Sequence, residues 1–509
     1  MKSPPRIQKT DATPATTKKI TIMIQPHPPL IDDDLKSDHF HDECAVFGVY
    51  GTDEAAVMTA LGLHALQHRG QEATGIISFD GHDYHAHHGI GHVGENFGAQ
   101  SGHTDKLKGH AAIGHNRYST TGRPELRNIQ PFLSELAFGG FALAHNGNLT
   151  NASRLRKSLV ETGSLMQSTT DSEVIVHLVA RSHQEQPSLR LVDALKQIEG
   201  AWSLICLTPE GLIGTRDPHG VRPLVLGEID GAYVLSSETC GLDIIGATYI
   251  RDLEPGEMVV ITESGVQSSF PLQKAASRFC VFEYIYFARP DSKLEGRDVY
   301  HARKNIGREL ARETAINADI VVPVPDSGVP AALGYAEESG LPFELGIIRN
   351  HYVGRTFIQP TDSGRQTGVK LKHNANNATV KGKSIVLVDD SIVRGTTSMK
   401  IVSMMRNAGA KEVHLRIASP PTTHPCFYGV DTPDRDKLIA ARMDTDAIAR
   451  EVGADSLAFI SMDGLYRALD IPEGRNKECP QMCDACFSGD YPVNIETATS
   501  SQHRFGGVS

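Results

Sequence analysis

Two groups of residues have types and spacing that could do chemistry. In the second half of the chain, Ile385 to Val388 are four consecutive apolar residues that read as a buried parallel strand. Asp389, Asp390 and Ser391 follow at once, then Arg394, Gly395, Thr396 and Thr397, and then Ile401, Val402, Met405 and Ala408 at helical spacing. Strand, loop and helix in that order make an anion site. Loop N–H groups and the helix N-terminus hold phosphate oxygens, while the two carboxylates meet ribose hydroxyls or Mg²⁺. No Gly-x-x-x-x-Gly-Lys-Ser/Thr is present, so this is not a Walker loop.

The first half offers a nucleophile. Cys44 opens the apolar stretch Ala45 to Tyr50. A cysteine in that position is ordinarily core, but other loops of the same half suit it to more. Arg117 can grip an α-carboxylate bidentately. Asn146 and the Gly147 N–H can form an oxyanion hole, and Asp171, at a helix cap, can receive an ammonium. A thiol nucleophile needs a base. His68 and His115 are available, and so is a free α-amine on Cys44 itself, which would require removal of residues 1–43.

These residues need elements to position them. Residues 1–43 are rich in Pro, Thr, Lys and His and read as a disordered leader, with Lys18 to Ile24 the one strand-like exception. From 44 to about 279, many strands with few helices (55–69 and 174–180 among them) predict packed sheets in an α+β layer. From 280 to 465 strands and helices alternate, which predicts a parallel α/β domain. Residues 466–490 carry Cys479, Cys483 and Cys486, and 491–509 run out in Ser, Gly and Thr.

At 509 residues the chain can bury ample core, and a net charge of −11 argues against a general nucleic-acid surface. No 18-residue apolar run or secretory signal is evident, so no membrane contact is expected and cytoplasm is the default. Eight cysteines are too sparse for a disulfide scaffold. Cys483-Asp-Ala-Cys486, with Cys280 and Cys426, supplies four thiolates that fit structural zinc or a [4Fe-4S] cluster, and spacing does not choose between them. Cys206 and Cys240 read as core.

The loop Asp389 to Thr397 resembles the 5-phosphoribosyl-1-pyrophosphate (PRPP) loop of type I phosphoribosyltransferases. Cys44-Ala-Val-Phe-Gly48, Gln67-His-Arg-Gly70, Gly114-His-Asn-Arg-Tyr118, His145-Asn-Gly-Asn148 and Thr170-Asp-Ser-Glu173 extend the match over nearly all of residues 44–490. The whole resembles the glutamine PRPP amidotransferases (amidophosphoribosyltransferases), in their iron–sulfur branch. The resemblance implies an N-terminal-nucleophile α/β/β/α sandwich glutaminase followed by a type I phosphoribosyltransferase α/β domain. It implies Cys44 as nucleophile after self-cleavage at Glu43–Cys44, Asn146 and Gly147 as oxyanion hole, and Arg117 and Asp171 as glutamine holders. The family usually has glycine after the nucleophile, where this chain has Ala45.

For PRPP it implies Asp326, Ser327 and Gly328 on pyrophosphate, a closing flag with Tyr352 and Arg355, and Asp389, Asp390, Ser391, Arg394, Gly395, Thr396 and Thr397 on ribose and 5′-phosphate. Ser327, Asp389 and Asp390 would be linked to Mg²⁺. Cys280, Cys426, Cys483 and Cys486 would hold [4Fe-4S], leaving Cys479 spare. Glutamine would yield glutamate and ammonia, and ammonia would displace pyrophosphate to give 5-phosphoribosylamine, the committed step of purine (IMP) synthesis. AMP, GMP, ADP and GDP would inhibit a homotetramer or homodimer. A glucosamine-6-phosphate synthase-like partner domain is disfavoured by the PRPP loop. A non-catalytic nucleotide- and oxygen-sensing regulator would leave Cys44, Arg117, Asn146 and Asp171 idle.

Overall fold

Along strand Ala45–Tyr50 alternate side chains go to opposite cores, as the period of two requires. Ala45, Phe47 and Val49 join one apolar cluster, Val46 and Tyr50 another. The second cluster lies between two antiparallel sheets, with Ile77 and Ile113 from one and Ala142, Ile205, Leu207 and Leu212 from the other. The first sheet has seven strands, in the order Thr248–Asp252, Val225–Ile229, Ala232–Ser236, Ala45–Tyr50, Ala111–Arg117, Ala73–Phe79 and Tyr84–Ile90. The second has six, from Gly265–Ser269 through Met258–Thr262, Gly211–Arg216, Gly200–Thr208 and Gly139–Leu149 to Phe132–Leu136. Helix Ala55–Ala65 covers the first sheet, where a Cβ on Gly62 would stand 2.3 Å from the Phe47 ring. Helices Glu173–Arg181 and Pro187–Leu195 bury Val174, Ile175 and Leu191 against Phe141, Leu143, Leu204 and Cys206 of the second. The result is the α/β/β/α sandwich.

The structure is a computed structural model that describes residues 44–118, 125–350 and 373–495. The leader and the end of the tail fall outside these residues. Four strands escape a reading of apolar runs: Tyr84–Ile90, Phe132–Leu136, Thr248–Asp252 and Gly265–Ser269. All four are sheet edges, half-exposed and polar, so they carry no continuous apolar signal. The expected helix over 55–69 ends at Ala65, and Gln67–Arg69 is a 3₁₀ turn. There the Gln67 amide bonds the Gly70 carbonyl and the Val93 N–H instead of pointing to solvent.

In the second half, strands Ile320–Pro323, Ser384–Asp389, Glu412–Ile417 and Ser456–Phe459 form a parallel sheet in that order. One face, with Val322, Ile385 and Leu387, packs on helices Thr396–Asn407 and Thr445–Val452. The other, with Val321, Val386 and Val388, packs on helices Val299–Glu313 and Val329–Ser339. That second cluster also contains Phe47 and Leu63, so the two halves share one apolar core. Among the described residues no helix is long and apolar enough to cross a membrane.

Candidate active sites and the loops that build them

Register places Cys44 beside Arg117: Ala45 is paired with Asn116 across the antiparallel ladder, and Arg117 ends its strand. The Cys44 thiol is half-buried and donates to the Tyr118 carbonyl at 3.5 Å. Burial pushes the thiol up to about 11, with the Arg117 guanidinium working against this and the Asp171 carboxylate with it. Thiol, cation and carboxylate are therefore within electrostatic reach of one another. Asp171 is buried and fixed, since its Oδ2 accepts from the Leu149 N–H at 2.9 Å and its Oδ1 from the Ser172 hydroxyl at 3.2 Å.

Asn146 and Gly147 lie on strand Gly139–Leu149, which ends at that Leu149. The side-chain nitrogen and oxygen of Asn146 are both buried without a hydrogen-bond partner. Leaving such a group unpaired is costly, so a ligand that bonds this amide would recover that cost. Gly147 has φ +144°. A Cβ there would stand 2.1 Å from the Ala201 carbonyl oxygen, so the position admits only glycine.

Neither histidine is placed as a base. His115 is fully buried, its Nε2 3.1 Å from the His145 carbonyl, and burial pulls it down to about 3. His68 Nε2 is 2.7 Å from a Glu238 carboxylate oxygen.

The second site lies at the carboxyl ends of neighbouring parallel strands, where open α/β sheets bind ligands. Pro323 and Val388 are in register, so the loops Pro325 to Gly328 and Asp389 to Thr397 leave the sheet side by side. Gly328 cannot carry a side chain, because a Cβ would meet the Val388 carbonyl oxygen at 2.5 Å. Asp326 is exposed and paired with Arg349, and Ser327 is half-buried. Asp389, Asp390 and Ser391 are buried. Asp389 Oδ1 accepts from the Asp390 N–H at 2.9 Å, and Ser391 Oγ donates to Asp390 Oδ2 at 2.6 Å. Asp390 Oδ1 is buried without a partner. Gly395, at φ +86°, turns the chain into helix Thr396–Asn407, whose N-terminus faces the same loop with Arg394 and Thr397 half-buried and Thr396 exposed. Tyr352 and Arg355 lie outside the described residues.

Two family models match, a glutamine amidotransferase domain at residues 115–243 and a phosphoribosyl transferase domain at 296–419. The chain is 55% identical over 479 residues to the amidophosphoribosyltransferase of Rhizobium etli, covering 93% of this chain and 96% of that one. It is 47% identical to the Bacillus subtilis amidophosphoribosyltransferase, covering 91% and 97%. The chain belongs to the amidophosphoribosyltransferase family. A solved structure of the B. subtilis glutamine PRPP amidotransferase complexed with ADP and GMP superposes with a TM-score of 0.84 at 47% identity, covering 89% of this chain and 98% of that chain. Family membership fixes the reaction class as glutamine-dependent amidotransfer to PRPP, in purine biosynthesis.

For an amidophosphoribosyltransferase the arrangement between the sites matters as much as the sites. Arg69, 1% exposed, donates through Nε to the Cys44 carbonyl at 3.3 Å. Its NH groups bond Glu238 Oε1 at 2.7 Å and the two Glu283 oxygens at 2.9 and 2.7 Å. Glu283 opens the π-helical turn Glu283–Phe287, three residues beyond Cys280, and is also 3.6 Å from Arg222. Buried Arg303 bonds the Tyr284 carbonyl in that turn and the Ala288 carbonyl just after it, and feels Asp390, Glu238 and Glu283 together. None of these roles was legible in the sequence, although Arg69 stands inside Gln67-His-Arg-Gly70. Removing Glu283 leaves two guanidinium groups buried without its charge. A Glu283→Gln protein is expected to lose about 3–5 kcal/mol of stability, read as a fall in the denaturant midpoint, and an unchanged midpoint would refute the ion-pair role.

Cys280 pairs with Cys483 in the short parallel ladder of Phe279–Cys280 and Met482–Cys483. Burial raises the Cys486 thiol, and Cys280, Cys426 and Cys483 each raise it further, so the four sulfurs are neighbours. Among the described residues no cysteine forms a disulfide. Nor are any three His, Cys, Asp or Glu side chains among them arranged to hold a metal ion as they stand. Cys479 is exposed, and Cys206 and Cys240 are buried.

Proposed function

We propose that Cys44 attacks the glutamine amide and forms a γ-glutamyl thioester, that water releases glutamate, and that the ammonia reaches PRPP without entering bulk solvent. Residues 44–279 would be the glutaminase domain, 280–465 the transferase domain and 466–490 a cluster-ligating segment, with 1–43 removed as a propeptide. The observation that carries this proposal is the Cys44 thiol held within electrostatic reach of Arg117 and Asp171. Those two charges match the α-carboxylate and α-ammonium of glutamine. The unpartnered Asn146 amide nitrogen, with the Gly147 N–H, would take the oxyanion. With His115 held neutral by burial and His68 engaged by Glu238, the base is the α-amine that cleavage at Glu43–Cys44 would expose.

At the second site Asp326, Ser327 and Gly328 would contact pyrophosphate, and Ser391 and Arg394 to Thr397 the ribose phosphate, with Tyr352 and Arg355 closing over it. Asp389, Asp390 and Ser327 would hold Mg²⁺, and the unpartnered Asp390 Oδ1 suits a hard cation. When bound, that ion would neutralise charge on the leaving pyrophosphate. The four neighbouring thiols Cys280, Cys426, Cys483 and Cys486 suit a [4Fe-4S] cluster by donor chemistry, which when bound would pin the tail to the transferase half. A PRPP pocket also fits AMP, GMP, ADP and GDP as inhibitors, and ADP and GMP accompany the B. subtilis structure. The assembly would be a homotetramer or homodimer.

The test is glutamate release from glutamine by anaerobically purified protein, with and without PRPP and Mg²⁺. Release that rises at least about tenfold with PRPP is expected, as ordering of the second site completes the first. Equal release in both conditions would refute the coupling.

A further inference from the structure

We propose that the loop Cys426 to Gly429 is the seat of the oxyanion strand, which makes Asn148 and Gly429 positioning residues for the glutamine half-reaction. This rests on Asn146 and Gly147 forming the oxyanion hole. The loop belongs to the second half of the chain, and it touches the first half at the residues flanking that hole. Asn148 Nδ2 donates to the Phe427 carbonyl at 2.9 Å, across 279 residues of sequence. Gly429, at φ +111°, lies so close to Gly147 that a Cβ on it would stand 3.0, 3.1 and 3.2 Å from the Gly147 carbonyl carbon, Cα and oxygen. Between them the Tyr428 carbonyl accepts from Arg222 Nε at 2.8 Å, and the Ser203 hydroxyl, from the residue paired with Asn146, donates to the Arg222 carbonyl at 3.1 Å. The seat is thus fixed on three successive residues.

The same loop is held from its other side by the tail. Cys426 Sγ accepts from the Tyr428 N–H at 3.3 Å, and the Tyr428 hydroxyl donates to the Val493 carbonyl at 2.8 Å. The Thr423 and His424 N–H groups both bond the Cys486 carbonyl, at 3.0 and 3.1 Å. An oxyanion hole works only if its donors stand where charge develops, and a displacement near 1 Å costs about a hundredfold in rate. The tail and its cysteines therefore act on the glutamine chemistry through the backbone at Gly147, without any contact to substrate.

The test compares Asn148→Ala and Gly429→Ala with Asn146→Ala, each as the processed enzyme that begins at Cys44, purified anaerobically. For the first two we expect PRPP-stimulated glutamate release to fall roughly 10- to 100-fold, mainly in kcat. Phosphoribosylamine synthesis from added ammonia should be unchanged. Hydrogen exchange gives the second readout: the amides of residues 146–149 should exchange faster in both variants than in the unsubstituted protein. Normal glutamate release by Asn148→Ala beside a crippled Asn146→Ala overturns the seat alone. Undiminished release by Asn146→Ala overturns the oxyanion assignment and the seat with it. Equal loss of glutamine- and ammonia-dependent synthesis in Asn148→Ala also overturns it, since general damage would then explain the effect.

Discussion

A Cys44→Ala protein is expected to make no phosphoribosylamine from glutamine and to keep its full rate from ammonia. Loss of a covalent nucleophile costs at least about 10⁴-fold in such enzymes. The large effect follows from how the site is built. Burial pushes the thiol up to about 11, which disfavours a free thiolate ahead of the attack. Reaction then depends on a base that takes the proton as the sulfur attacks, and no other side chain can substitute for that pair. Removing the sulfur leaves Arg117, Asp171 and the second site untouched, so bound glutamine and bound PRPP should persist. The two activities are read separately, as glutamate release and as pyrophosphate release with ammonium. Glutamate release above about 1% of the unsubstituted rate would disprove Cys44 as nucleophile.

Asp390→Asn is expected to lower synthesis from both nitrogen sources by a few hundred-fold, equivalent to about 3–4 kcal/mol of transition-state stabilisation. Asp390 Oδ1 is a carboxylate oxygen buried without a partner at the carboxyl end of the central strand. Asparagine has the same shape, and its amide oxygen can keep the bond from Ser391 Oγ that Oδ2 now accepts. What it loses is the negative charge on the group that would meet Mg²⁺ and ribose. Folding should be intact by thermal unfolding, and glutamate release without PRPP should stay at its basal level. Glu337→Gln is the control, because Glu337 is exposed and paired with Arg308 at the surface, where an ion pair contributes about 0–1 kcal/mol. An Asp390→Asn protein with normal PRPP kinetics would remove this carboxylate from the site.

Contiguous chemistry is what the sequence by itself determined. Ile385 to Thr397 declares strand, anion loop and helix start within thirteen residues, because hydrogen bonding and apolar periodicity there are local; the strand runs Ser384–Asp389 and the helix Thr396–Asn407. His145-Asn-Gly-Asn148 is equally readable, since Gly147 is the residue that a φ of +144° demands. Strand–helix order was enough for packed sheets in the first half and a parallel sheet in the second, and the family resemblance implied the sandwich, whereas the four edge strands carried no continuous apolar run.

Only the tertiary structure decided what those local units face. Arg69 meets Glu283 across 214 residues, and Asn148 meets Phe427 across 279. A buried charge must find an opposite charge, and a buried amide an acceptor, but any of the chain's 61 acidic residues could satisfy the first requirement on paper. Which one does so depends on how two apolar faces pack, here the helix side of the first sheet and the aromatic turn after Cys280. Packing is non-local and close to solid density, so partners of this kind are set by shape at the meeting of the two halves and not by sequence spacing.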